Sequence, residues 1–347
     1  MTKRYLGNII TQNPTAPAGP YENSAANGVW SLAEALAYQK ADLWPIPGNS
    51  LQRLLFAGGQ NRSTTIDYVE IATTGNAVDY ADLSTAVTGT AGAGNSTRAL
   101  FGGGSSVAKI QYISYSGGGT TTDFGDMVAP AGSPGVGVSD AAGAANSTRA
   151  LFAGGNENGN STQQDKIDLV TIATTGNAID FGNLTQARTT LAGLGSSTRA
   201  VFGGGRISTS NTFYNYIDYV TIASAGNAID FGDLLAGSRG LGGTSSATRG
   251  LFVGGETSGG VSNVIQYITI ASTGNALDFG DLSVGGNFMN NSCGNSATRS
   301  VFGGANNRQN VIDFVTTATL GNATDFGDLT VGGYNIAGVS SANPAAA

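Results

Sequence analysis

Aspartates recur three residues apart along this chain: Asp79/Asp82, Asp123/Asp126, Asp230/Asp233, Asp278/Asp281 and Asp325/Asp328, with Asp180 facing Asn183 in the one unequal pair. Carboxylates so spaced could act as the acid and base of a glycosidase or as calcium ligands. A catalytic pair is needed once, so a pair written into every repeat reads as structural. The chain has no histidine and one cysteine, Cys293. Without imidazole it lacks the commonest general base, nearly all zinc and copper ligand sets, and the Ser-His and Cys-His nucleophile pairs. Cys293 lies in a run of small residues with no activating neighbour and reads as an inert, buried thiol. The segment Asn156–Asp165 crowds side-chain oxygens, yet its spacing fails the EF-hand template, in which a bidentate glutamate closes the loop. It reads as a flexible polar loop. Phe213, Tyr214 and Tyr216 could stack on sugar rings or pack at a sheet edge. No catalytic residue, cofactor or metal site is expected.

These residues sit in a tandem repeat. A Ser/Ala-Thr-Arg start, written Leu-Gln-Arg in the first copy, an apolar run ending in Gly-Gly and an Asp-aromatic close recur, with copies beginning at Arg53, Arg98, Arg149, Arg199, Arg249 and Arg299. The period is about 50 residues, in the range of four-stranded propeller blades. The copy from Thr185 to Leu234 reads as four short antiparallel strands: a small-residue run ending at Gly195, Arg199-Ala-Val-Phe, Tyr216-Ile-Asp-Tyr-Val-Thr-Ile-Ala, and Ala228-Ile-Asp-Phe-Gly-Asp-Leu. Gly226-Asn227 suits a two-residue hairpin turn between the last two. Gly75-Asn76, Gly176-Asn177, Gly274-Asn275 and Gly321-Asn322 repeat it, while Gly117-Gly118-Gly119 replaces it in the second copy. The recurrent arginine is expected to pair with backbone carbonyls or with the recurrent carboxylates.

The apolar run followed by Gly-Gly, as in Leu151-Phe-Ala-Gly-Gly, resembles the kelch repeat over about 300 residues. The resemblance implies an all-β, six-bladed propeller of four-stranded blades spanning residues 51–347. The kelch tryptophan is absent, and Phe124, Phe181, Phe231, Phe279 and Phe326 stand where it would fall. Copper oxidases on such propellers need imidazole ligands, so that activity is excluded.

Strands beside a propeller axis crowd and demand Gly, Ala and Ser, which makes the small-residue run before each Ser-Thr-Arg the innermost strand. One copy lacks such a run. The segment Tyr334-Asn-Ile-Ala-Gly-Val-Ser-Ser-Ala is expected to supply it to the blade formed by residues 53–83, closing the ring and removing sheet edges. One face then carries the constant turns. The other carries the loops that differ, at residues 60–65, 105–109, 156–166, 206–215, 256–263 and 305–310. Recognition candidates on them are Asn156, Asn158, Asp165, Arg206, Phe213, Tyr214, Glu256 and Arg308.

Residues 1–50 form an arm of different texture. Pro14, Pro17 and Pro20 mark an extended stretch, and Ser31-Leu-Ala-Glu34 is a capping box opening a short helix over 31–41. A helix that short must dock on something, either the chain's own ring or a partner subunit. Tyr5-Leu-Gly-Asn, Gly28-Val-Trp-Ser-Leu and Leu43-Trp-Pro, with the downstream Phe-Gly-Gly and Asp-Phe-Gly-Asp-Leu, are similar to structural proteins of tailed, especially marine, bacteriophages. That resemblance implies a non-enzymatic virion protein, a tail fibre or receptor-contacting appendage, anchored to other virion subunits by Tyr5, Leu6, Trp30, Leu32, Leu36 and Trp44. A head fibre or capsid decoration, or a free carbohydrate- or protein-binding propeller, is the alternative. A host-surface glycan or protein would be the ligand. The net charge of −7, from 16 Lys/Arg and 23 Asp/Glu without a basic stripe, argues against nucleic acid. No apolar run follows Lys3 and Arg4 and none reaches membrane-spanning length, so neither a signal peptide nor membrane insertion is expected, and assembly would occur in the host cytoplasm.

Overall fold

The computed structural model describes residues 52–105, 107–129, 137–157, 162–285, 292–305 and 309–342. The chain divides between Gln52 and Arg53. The expected helix at 31–41 and the anchor residues Tyr5, Leu6, Trp30, Leu32, Leu36 and Trp44 therefore lie outside the described residues, as do Asn158 and Arg308.

Strands alone make up the regular structure of the described residues. They form six antiparallel sheets of four main strands, whose innermost strands are the short runs of small residues, and three smaller ribbons. Sheet 1 runs Ala337–Ser340, Arg53–Ala57, Thr65–Glu70, Val78–Asp82 from inside to outside. Sheets 2 to 6 begin on Ala91–Gly94, Ala142–Ala145, Ala192–Gly195, Gly242–Ser245 and Cys293–Asn295. They end on Thr122–Asp126, Ile179–Asn183, Ile229–Asp233, Leu277–Asp281 and Thr324–Asp328. The C-terminal strand pairs Leu54 with Ser340 and Ala57 with Ala337, so one sheet is assembled from the two ends of this unit. Inner strands of successive sheets touch in order from sheet 1 to sheet 6, and that of sheet 6 touches that of sheet 1.

Crowding explains the composition of these inner strands. A Cβ on Gly143 would lie 2.0 Å from the Gly92 carbonyl oxygen, and one on Gly193 would lie 2.4 Å from that of Gly143. Between sheets, the core is built from one phenylalanine per second strand: Phe56, Phe101, Phe152, Phe202, Phe252 and Phe302 are all fully buried. On the outer strands, Phe124, Phe231, Phe279 and Phe326 meet an aromatic of the third strand edge to face, as Tyr219 meets Phe231 at 5.7 Å.

Three kinds of polar link join neighbouring sheets. The recurrent arginine is the first: its Nη1 donates to main-chain carbonyls at the end of the next sheet's third strand. Arg98 reaches Ile172 O at 2.9 Å, Arg199 reaches Ile270 O at 2.7 Å, and Arg299 reaches Ile71 O at 3.0 Å. The guanidinium also lies over an aromatic ring of its own sheet, 4.5 Å from the Tyr219 centroid for Arg199. Carbonyls, then, and not the paired aspartates, are its partners; Asp79, Asp123, Asp180, Asp230, Asp278 and Asp325 are exposed.

The second link corrects the reading of Gly-Asn. The turn after the third strand closes on Ser224, whose N–H donates to Thr221 O at 3.2 Å, before Gly226-Asn227 is reached. Gly226-Asn227 instead runs along the outer strand of the preceding sheet: Gly226 N–H donates to Phe181 O at 2.8 Å and Ala228 N–H to Asn183 O at 2.7 Å. The Asn183 N–H returns a bond to Asn227 Oδ1 at 3.1 Å. The same clasp occurs at Asn76, Asn177, Asn275 and Asn322. It satisfies the outward-facing main-chain groups of each outer strand and so blunts an exposed sheet edge. In the copy without Gly-Asn, Gly119–Thr120 pairs in parallel with Ala81–Asp82 and does the same work.

This clasp also dictates the glycine of Asp-Phe-Gly-Asp. A Cβ on Gly232 would lie 2.5 Å from Gly274 O, and Gly125, Gly182, Gly280 and Gly327 face the same approach. Sheet 1 has Ala81 at this position, and it is sheet 1 whose neighbour lacks Gly-Asn.

The third link is a buried acceptor on the third strand, directly opposite the core phenylalanine: Asp67, Gln111, Asp168, Asp218, Gln266 or Asp313. Each receives a main-chain N–H from the segment leaving the preceding sheet's outer strand, as in Thr185 N–H to Asp218 Oδ2 at 3.1 Å and Leu235 N–H to Gln266 Oε1 at 2.8 Å.

Candidate functional site

Antiparallel alternation puts the arginine turns and the Gly-Asn segments at one end of the sheets. The loops after each second strand, and the connections leading to each next inner strand, lie at the other end. At that second end a run of left-handed residues links the connections. Gly89 N–H donates to Asn335 O at 3.2 Å, Asp140 to Gly89 O at 2.8 Å, Thr190 to Asp140 O at 2.9 Å and Gly240 to Thr190 O at 2.8 Å. Asn and Asp tolerate positive φ, but Thr190 at φ 56° is a β-branched residue in a conformation that strains it. Strain of this kind is retained where surroundings enforce it, often beside functional surfaces.

Around this run the sequences differ from sheet to sheet, and two loop ribbons meet. Arg206–Ile207 pairs with Thr212–Phe213, placing Arg206 opposite Phe213. The strand Ser238–Arg239 pairs with Glu256–Thr257, and Arg239 Nη2 binds Glu256 Oε2 at 2.7 Å. The Arg239 guanidinium lies 5.3 Å from the Phe213 ring centroid, which joins the two ribbons. Arg206 donates to Asn211 Oδ1 at 3.2 Å. Tyr214 stacks on Tyr216 with centroids 4.9 Å apart and rings 20° from parallel. Burial pushes the Asp140 carboxyl up to about 6, against the opposing pull of Arg206 and Arg239. The Arg206 guanidinium is pulled down, first by burial and then by Arg239.

Four sequence candidates, Arg206, Phe213, Tyr214 and Glu256, thus come together, with Arg239, Tyr216 and Asp140 completing a mixed charged and aromatic surface. Asp165 and Asn156 lie apart from it, on the sheet 3 loop. Asn156 does not fit an exposed contact role: it is buried at 9 % exposure, and its Oδ1 accepts a bond from Gln163 Nε2 at 3.2 Å. The Asn156–Gln163 bridge ties the base of the loop, and Asn156–Glu157 pairs with Val138–Ser139 of the connection before the same sheet's inner strand.

Among the described residues no group of three His, Cys, Asp or Glu could hold a metal ion. Cys293 is buried, and desolvation pushes its thiol far above the ordinary value. It occupies the position opposite Phe302 that glycine takes in the other five inner strands. No helix of the described residues is long and apolar enough to cross a membrane.

No protein-family model and no curated protein matches the chain. Among solved structures 415 chains match. One is the structure of YjhT, with a TM-score of 0.57 and 11 % identity over 72 % of this chain and 86 % of that one. Likeness at that identity is a likeness of fold.

Proposed function

We propose that the six sheets are the blades of a closed, six-bladed, kelch-like β-propeller that serves as a non-enzymatic virion component of a tailed bacteriophage. Residues 1–50 attach it to other virion subunits, and the divergent loop end contacts a host-surface glycan or protein, as a tail fibre or receptor-contacting appendage does. The propeller reading draws on the cyclic order of inner-strand contacts and on the fold likeness to YjhT. The recognition reading draws on one observation: the three inter-sheet links repeat around the molecule, whereas Arg206, Phe213, Tyr214, Arg239 and Glu256 form a surface that recurs in no other copy among the described residues. Aromatic rings beside a rigid guanidinium and carboxylate suit a polar, ring-bearing ligand such as a saccharide.

Purified particles provide the test. The protein should be present in them, and deletion of residues 1–50 should remove it while the remaining unit stays folded. Incorporation of the truncated chain would refute the anchor. Phe213→Ala with Arg239→Ala should abolish retention on host surface polysaccharide without altering incorporation. Release of oligosaccharide fragments would refute the non-enzymatic assignment.

A further inference from the structure

The turn leading into the second strand begins on asparagine in sheets 2 and 3, at Asn95 and Asn146, and on serine in sheets 4, 5 and 6, at Ser196, Ser246 and Ser296. Both residue types cap their own turn: Asn95 Oδ1 and Ser246 Oγ each accept the N–H of the arginine three positions on, at 3.0 Å. Asparagine has a second group to use. Asn95 Nδ2 donates to Ser147 O at 2.9 Å and Asn146 Nδ2 to Ser197 O at 3.1 Å, so a carboxamide ties each of these turns to the turn of the next sheet. Serine ends at its hydroxyl and cannot make that bond. Beyond Ser246, the carbonyl in the position of Ser147 O and Ser197 O is that of Ala297.

A second exchange joins the first between sheets 5 and 6. The residue whose carbonyl holds the recurrent arginine is Ile71, Ile172, Ile222 or Ile270 at four junctions and Tyr115 at a fifth; Arg249 of sheet 5 instead meets Thr317 of sheet 6. Threonine is shorter than isoleucine and carries a hydroxyl. Thr317 is 1 % exposed, and its Oγ1 lies 2.9 Å from Oγ of the fully buried Ser300. Two hydroxyls carry two hydrogens, and the bond between them uses one. The other meets no acceptor among the described residues. Serine in the turn and threonine as the arginine's partner coincide at this junction alone among the described residues, and here a groove of ≈ 390 Å³ opens, lined by residues 246–249, Ala297, Thr317 and Ala318. No carboxylate lines it, and the Arg249 guanidinium, held by Thr317 O at 2.9 Å and Ala318 O at 3.0 Å, gives its wall a positive charge.

We propose that this groove binds the acetamido group of an N-acetylated amino sugar. Asn95 and Asn146 show that an amide belongs at this place in the repeat, and between sheets 5 and 6 the ligand supplies it. Its N–H donates to Ala297 O, as the asparagine Nδ2 does to the matching carbonyls. Its carbonyl accepts the spare hydrogen of the Ser300–Thr317 pair, and its methyl rests on Ala247, Ala297 and Ala318. The remaining volume takes a pyranose ring, since ≈ 390 Å³ lies in the range of small-molecule sites, and the exposed Thr248 offers a hydroxyl to those of the sugar. A free amino sugar would bring an ammonium beside Arg249 and lacks the acetyl group, so it is disfavoured. The groove lies at the end of the sheets opposite Arg206, Phe213 and Arg239 and does not rest on the reading of that surface.

The experiment titrates the methyl glycosides of N-acetylglucosamine, glucosamine and glucose into the full chain and follows them by saturation-transfer NMR. The acetylated sugar should bind with its acetyl methyl receiving the strongest transfer, and the other two should bind at least about tenfold more weakly, as the loss of one or two hydrogen bonds implies. Ser246→Asn rebuilds inside the groove the carboxamide link of sheets 2 and 3 and should weaken binding of the acetylated sugar by at least about tenfold. No binding by the wild type, equal binding of the three sugars, or undiminished binding by Ser246→Asn would each overturn the proposal. Should that variant fail to fold, Thr317→Ile installs the residue of four other junctions and removes the hydroxyl; undiminished binding there would count against the groove. Phe213→Ala with Arg239→Ala should leave the affinity unchanged, and loss of binding in that pair would assign the sugar to the loop end and refute this site.

Discussion

Replacing Gly232 by alanine tests whether the Gly-Asn clasp, and not turn geometry, fixes the repeat's glycine. The added methyl would sit 2.5 Å from Gly274 O, 2.6 Å from Gly274 C and 3.0 Å from Asn275 N, all main-chain atoms of the next sheet. Ordinary carbon–oxygen contact needs roughly 3.4 Å or more, so the clasp must retreat by about 1 Å. At stake are three hydrogen bonds: Gly274 N–H to Phe231 O at 2.7 Å, Ala276 N–H to Asp233 O at 2.8 Å and Asp233 N–H to Asn275 Oδ1 at 3.0 Å. At about 1 kcal/mol each, their loss sets a ceiling near 3 kcal/mol, and overpacking with partial retention sets a floor near 1 kcal/mol. Backbone strain adds to either, because φ at Gly232 is 145°. Urea unfolding should therefore place Gly232→Ala about 1–4 kcal/mol below wild type. The internal control is Ala81→Gly, whose position already holds a Cβ, and which should lose no more than about 1 kcal/mol through chain entropy. A Gly232→Ala variant within about 0.5 kcal/mol of wild type would refute the steric argument.

Arg188 Nη2 holds Asp218 Oδ2 at 3.0 Å. Arg188→Met strands Asp218 in the interior and should cost about 3–5 kcal/mol in denaturant unfolding; adding Asp218→Asn should restore part of it, because the uncompensated charge is then gone. Asp168 should make stability fall as pH rises. Its carboxyl goes from an unfolded value of 3.8 to about 7 in the fold, so the folded state binds the extra proton between those limits. The loss should begin near pH 4, level off above pH 7 and reach on the order of 4 kcal/mol, and Asp168→Asn should abolish that slope. Cys293 should resist a thiol-specific chromogenic reagent at pH 8 in the native protein and react fully once unfolded; native labelling at the unfolded rate would contradict its burial.

Strand positions were legible because the repeat samples each strand six times, and the inner strand supplied by residues 337–340 was legible because one copy of a counted pattern was missing. Gly-Asn misled because its local chemistry fits a hairpin turn, while the contact it makes lies on the neighbouring repeat, 45 positions away for Gly226 and Phe181. The signal that could have exposed this was covariation within the chain: Gly117-Gly118-Gly119 lacks Asn, and the preceding repeat has Ala81 for glycine. The buried acceptors were overlooked for a related reason. Asp67 and Asp218 sit in alternating strands, where a polar residue reads as solvent-facing, but here both faces of each sheet meet another sheet. Arg239 and Asp140 escaped because they directly precede inner strands, outside the variable loops to which recognition was assigned.

The inter-sheet links divide the labour between the two ends of the sheets. At the arginine end, each guanidinium is held by a carbonyl of the next sheet, and all but that of Arg149 also lie over an aromatic ring of their own sheet, so a substitution there perturbs two sheets at once. At the loop end, the contacts that bind sheets together are main-chain bonds through left-handed residues and the buried acceptors beneath them. Main-chain bonds leave side-chain identity open. Sequence can therefore diverge at that end without loosening the array, provided a charge such as Asp67 or Asp218 keeps a counter-charge. Arg62 and Arg188, arriving from different segments, illustrate how loosely that requirement constrains the loops, and why a loop surface such as that around Arg206, Phe213 and Arg239 can be rebuilt while its support stays fixed.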